Sequence, residues 1–157
     1  MKLAEALIER ADAQKRLAQI QARATSVARY QEDEEPAEDA AELLAAGRQI
    51  TADIEQLIAA VNRTNAATEL EPGVTITDAL ARRDALAMRR RLVTAVADAA
   101  AGSDDGPWGR QLRSELRFVT PVAVADLRRE ADDLARQYRE LDTRLQAANW
   151  AVDLLQG

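Results

Sequence analysis

The chain contains no histidine and no cysteine. The commonest general base and metal ligand is therefore missing, and with it any thiolate nucleophile, disulfide or thiolate metal site. No Ser-His pair is available, and a di-iron bundle built on Glu-x-x-His is excluded. Lysine occurs only at Lys2 and Lys15, and the glycines form neither GxGxxG nor a P-loop. Aromatics make up 3% of the residues, so the core has to come from thin, Ala-rich helices that approach closely. Long apolar runs are scarce too. The longest, Leu92 to Ala101, is broken by Thr94 and Asp98, and falls far short of the roughly 20 residues a bilayer demands. Met1 to Arg10 lacks the apolar stretch of a signal peptide. These absences predict a cytoplasmic, non-enzymatic protein with no cofactor, no metal site and no membrane segment. Positive charge is the minority: the net charge is −6, which argues against nucleic acid or an anionic membrane as the main partner.

What the sequence does have is helical periodicity. Val124, Leu127, Ala131, Leu134, Tyr138, Leu141, Leu145, Ala148, Val152 and Leu155 alternate at steps of three and four, an unbroken a/d seam. Leu43, Gly47, Ile50, Ile54, Leu57, Val61, Thr64 and Thr68 form a second seam that turns polar at Asn62-Arg63-Thr64-Asn65. Leu3, Leu7, Leu17, Ile20, Ala24 and Val27 make a weaker stripe, interrupted by Arg10 and Gln14. Burying a Leu- or Val-sized side chain contributes about 1.5–3 kcal/mol, whereas ordering each backbone residue costs about 1–2 kcal/mol. No helix here can stand alone, so each seam has to be covered by others.

Punctuation sets the boundaries. Pro36 suits the first turn of a helix, Glu71-Pro72-Gly73 is a turn signal, and Thr77 and Thr120-Pro121 suit helix starts. The predicted architecture is mainly α: one domain, residues 1–157, an elongated four-helix coiled-coil-like bundle. Its helices run over about 2–29, 37–66, 77–101 and 121–156. A small β-hairpin or mini-sheet is expected from strands near 68–70, 74–76 and 112–120.

Four groups of residues invite a functional reading. Thr143, Ala147, Trp150 and Leu154 form a second stripe on the last helix, away from its seam. It is either a second face of a wide interior or a subunit interface, where large aromatics are enriched. Residues 31–39 are an acidic connector, most simply solvated. Helix 3 carries Arg82, Arg83, Arg89, Arg90 and Arg91. They either stay solvated, pair with the acidic connector of the same or a neighbouring chain, or grip phosphate; no aromatic residue interleaves with them as a single-stranded nucleic-acid site would require. Finally, Asn62, Arg63, Asn65, Asp78, Arg82, Asp84 and Arg117 are predicted to meet at one end of the bundle, as a buried register-setting network or as a pocket for a small molecule or anion.

Three segments also bear a family likeness. Asn-Arg-Thr-Asn at 62–65, Thr-Asp-Ala-Leu-Ala-Arg-Arg-Asp at 77–84 and Arg-Glu-Leu-Asp-Thr-Arg-Leu-Gln-Ala-Ala-Asn-Trp at 139–150 resemble septicolysin-like proteins, small, functionally uncharacterised and bacterial. The resemblance implies a mainly helical fold and supplies no catalytic residues. The lytic name would imply membrane damage, which a chain without a basic amphipathic helix does not favour. The resulting expectation is a self-associating structural or interaction protein, a homo-oligomer anchored by Trp150, Leu154 and Ala147, with Arg89 and Arg90 as charged interface residues. A ligand-binding protein using the polar cluster is second and a lytic protein third.

Overall fold

The computed structural model describes residues 1–102 and 119–155. It contains four helices, α1 (Leu3–Val27), α2 (Ala40–Ala67), α3 (Ile76–Ala100) and α4 (Val124–Ala151), and two short strands, β1 (Glu69–Glu71) and β2 (Val74–Thr75). The mainly helical fold with a small antiparallel hairpin is as predicted. The segment near 112–120, a candidate third strand for the hairpin or an extended cover, falls mostly outside the described residues (112–118), and Val119 and Thr120 are irregular. The chain divides into two compact units, Met1–Thr77 with Gln146–Gly157, and Asp78–Leu145.

In the first unit α1 and α2 form an antiparallel hairpin. The α2 seam turns inward as its spacing demands, with Leu43, Gly47, Ile54, Val61 and Thr64 all buried. On α1 the seam is Leu3, Ala6, Ala13, then Leu17, Ile20, Ala24 and Val27. Ala6 takes the seam position expected of Leu7, which is half-buried, and Ala13 stands in the gap that the sequence showed before Leu17; their small side chains let the helices approach. Arg10 occupies the same stripe, and its Nε is buried without a hydrogen-bond partner among the described residues, while Gln14 is exposed.

Gly47 faces α1. A Cβ built there would meet Ile20 Cγ2 at 3.5 Å and Leu17 Cδ1 at 3.8 Å, which is ordinary contact. Gly47→Ala is therefore expected to stabilise the protein by about 1 kcal/mol through helix propensity alone. A chemical-denaturation midpoint lower than that of the native protein would show that α1 cannot accept the methyl group.

Helix starts differ from the predicted ones for identifiable reasons. α2 begins at Ala40 rather than at Ala37 because the Asp39 carboxylate accepts from the N–H groups of Ala41 (2.6 Å) and Glu42 (3.4 Å). That side chain satisfies donors that Pro36 could only avoid having. α3 begins at Ile76, so Thr77 lies in its first turn instead of capping it. The Ile76 N–H donates to Thr68 O at 2.9 Å, and β2 runs straight into the helix. Gly73, at φ +76°, makes the hairpin turn, a left-handed conformation open to glycine at no steric cost. Thr120 accepts from the Val122 N–H at 3.3 Å, and α4 starts only at Val124.

At its other end α4 stops at Ala151, well before residue 156. Residues 152–155 leave the helix to clasp the N-terminus. Leu3 N–H donates to Val152 O at 3.0 Å, and Leu154 N–H donates to Met1 O at 2.9 Å.

In the second unit the α4 seam is buried at Ala131, Leu134, Leu141 and Leu145. Leu134 packs with Val93 and Ala131, flanked by Leu86 and Leu127. No helix among the described residues is long and apolar enough to cross a membrane.

Candidate functional site

Helical phase decides what becomes of the polar end of α2. One turn carries Asn62, Arg63, Thr64 and Asn65, and only Thr64 falls on the seam. Thr64 is 0% exposed, Asn62 and Arg63 are exposed, and Asn65 is half-buried. The Thr64 hydroxyl donates to Ala60 O at 2.8 Å and accepts from Leu155 N–H at 3.0 Å. Both of its hydrogen-bonding roles are thus filled inside the first unit, as burial of a polar group requires. The expected apolar gap is a single threonine that ties α2 to the C-terminal segment.

Arg63 lines an open cleft of about 570 Å³ with Arg16, Glu9, Asp53 and Gln56, over Ala13, Leu57 and Ala60. Leu154 and Met1 also reach it. Of the other residues expected at this site, Asp78, Arg82 and Asp84 belong to the second unit, where all three are exposed, and Arg117 lies outside the described residues. Asp84 pairs with Arg83 at 3.0 Å, and Arg83 also reaches Asp142 at 3.4 Å. Partial burial pulls the Arg83 pKa down, but the hydrogen bond and charge of Asp84, the nearby Tyr138 and the hydrogen bond to Asp142 leave it raised overall.

The arginines of α3 therefore separate into two sets. Arg83 is held as above, and Arg89 pairs with Glu130 of α4 at 2.5 Å. Arg82, Arg90 and Arg91 have no carboxylate partner among the described residues. The acidic connector is partly occupied too: Glu38 pairs with Arg23 of α1, and that hydrogen bond holds the carboxyl below its ordinary pKa.

Of the expected interface stripe, Ala147 and Trp150 lie on α4 and are exposed, Trp150 by 57%; Leu154 does not continue the stripe, because it lies beyond the end of the helix in the segment that clasps the N-terminus, and is half-buried. The wide-interior alternative does not describe this stripe; its indole faces solvent. Other large apolar side chains in the same unit are uncovered as well, among them Leu44, Ile8 and Met1. At the connector end of the α1–α2 hairpin an open groove of about 610 Å³ exposes Leu17, Ile20, Ala24 and Leu44.

One structural element had no usable signal in the sequence. Lys2 Nζ donates to Ala151 O at 3.0 Å and pairs with Asp153 at 2.9 Å. The hydrogen bond from Lys2 holds the Asp153 carboxyl below its usual pKa. Nothing in a sequence links residues so far apart; only the opposite charges at the two ends hinted at it. Among the described residues no cluster of acidic side chains is arranged to hold a metal ion.

The model of a family described as "Family of unknown function (DUF6847)" matches residues 10–154. The chain is also similar to a solved protein described as a functionally unknown conserved protein from Corynebacterium diphtheriae. The two share 38% identity over 99% of each chain, with a TM-score of 0.89. No curated protein matches the chain. Neither description mentions lysis, and neither carries the septicolysin-like name.

Proposed function

The chain belongs to the family of unknown function DUF6847, and on that premise we propose that it works by association: a non-catalytic helical protein that pairs with further copies of itself. The observation that carries this reading is the uncovered Trp150, 57% exposed. A large ring left in water forgoes a favourable burial of some 150–250 Å², and such rings are enriched where another surface packs. The open groove between α1 and α2 supports the same reading, because a two-helix hairpin covers each seam from one side only. The non-catalytic part rests on the inventory: without His or Cys, the side chains that commonly move protons or attack carbonyls at neutral pH are missing.

Sedimentation velocity across a concentration series tests the proposal. The expected result is a mass that rises from monomer to a defined oligomer by the middle of the micromolar range. A strict monomer at high micromolar concentration overturns it. The lytic reading finds no support in the helices of the described residues, none of which is long and apolar enough to cross a membrane.

A second reading has its own observation. The cleft holding Arg63 presents two guanidinium groups, two carboxylates and the Gln56 amide around an alanine and leucine floor, a lining suited to a small zwitterion.

A further inference from the structure

We propose that the groove beside Arg90 and Arg91 binds the phosphoryl group of a small, soluble phosphorylated molecule. The inference is independent of self-association, since it concerns the second unit alone.

The argument begins with what α3 does with its arginines. Arg83 and Arg89 are held by carboxylates. Arg90 and Arg91 are exposed and have no such partner among the described residues. Both line a groove of about 630 Å³ together with Thr94, Asp98 and Tyr138. Its one carboxylate, Asp98, is already paired with Arg128 at 2.6 Å. Among the described residues the groove therefore has two guanidinium groups without a carboxylate partner, with Thr94 and Tyr138 in its lining. Successive residues and the residue one turn on bring Arg90, Arg91 and Thr94 onto adjoining parts of one helix surface, and Tyr138 joins the lining from α4.

The chemistry of these groups selects the ligand. A guanidinium offers a planar fork of N–H donors that matches phosphate oxygens in bidentate fashion, and a hydroxyl adds a neutral donor. Ala87 and Ala95 leave the floor shallow and apolar, with room beyond a bare phosphate for an organic body; small-molecule sites commonly span about 300–1,000 Å³. A polyanion is disfavoured. Affinity for nucleic acid depends on many phosphate contacts, and a chain of net charge −6 repels an extended one.

Titration calorimetry with inorganic pyrophosphate, on the full chain, tests the site. Saturable binding is expected, weakened about tenfold or more in the Arg90→Ala/Arg91→Ala variant, since a hydrogen bond to a charged group is worth about one decade or more. Tyr138→Phe should weaken it by a smaller factor. Arg29→Ala, an exposed arginine outside the groove, should bind as the native chain does. Because Arg90 and Arg91 are exposed, unchanged circular dichroism is expected in the double variant. No saturable binding of pyrophosphate, or an equal loss in Arg29→Ala, overturns the proposal. So does binding confined to vesicles containing phosphatidic acid, which would place the phosphoryl group on a lipid surface.

Discussion

Replacing Leu134 by Ala is expected to lower the unfolding free energy by about 3 kcal/mol, within the roughly 2–5 kcal/mol that truncating a buried Leu removes. Leu134 is 3% exposed and sits among Val93, Ala131, Leu86 and Leu127. Its neighbours are small or held on rigid helices, so few side chains can move in to fill the space left behind. For a chain of this size each kcal/mol moves the melting temperature by about 2–4 °C, which predicts a fall of roughly 6–12 °C. Leu92→Ala on α3 is the control. Leu92 is 65% exposed, and truncating a surface side chain away from such features changes stability by no more than about 0.5 kcal/mol. Calorimetry on both variants separates burial from mere hydrophobicity. Equal destabilisation by the two would show that the core does not lie where Leu134 places it.

Trp150→Ala has the opposite profile. The indole is more than half exposed in the single chain, so its removal should leave the melting temperature of dilute protein nearly unchanged. In the proposed oligomer the same truncation removes an anchor, and anchors of this kind are worth about 2 kcal/mol or more. The expected dissociation constant rises at least about 30-fold, read by sedimentation at a concentration where the native chain is assembled. An unchanged mass would remove Trp150 from the interface; a large loss of monomer stability would show that the ring packs within its own chain.

The helices were legible because their signal is local. A repeat of three and four residues marks one face wherever it occurs: the seam positions within α2 and α4 are buried or half-buried, while the repeat overran the helix at Val152 and at Leu155, which is 46% exposed. The hairpin turn at Pro72-Gly73 was legible for the same reason. The weaker α1 stripe was read incompletely, because Ala6 and Ala13 carry little hydrophobic signal yet are buried at 0% and 2% exposure. Close packing, not side-chain size, places them in the core.

The site was less legible. Asn62, Arg63, Thr64 and Asn65 look alike in sequence, and the turn of the helix buries one and exposes two. The arginines of α3 likewise look equivalent. Whether one meets a carboxylate depends on how α4 lies against α3, as the pairs of Arg89 with Glu130 and Arg128 with Asp98 show.

Taken alone, the sequence determined that this protein is built of amphipathic helices joined by one tight hairpin, and that His- and Cys-dependent chemistry is absent. These depend only on residue type and spacing within a few turns. Tertiary structure decided where α4 ends, why Thr64 is tolerated in a seam, and which arginines meet a carboxylate among the described residues. Each of these is set by groups distant in the chain, such as Leu155 meeting Thr64 and Lys2 meeting Asp153, and no periodicity encodes such meetings.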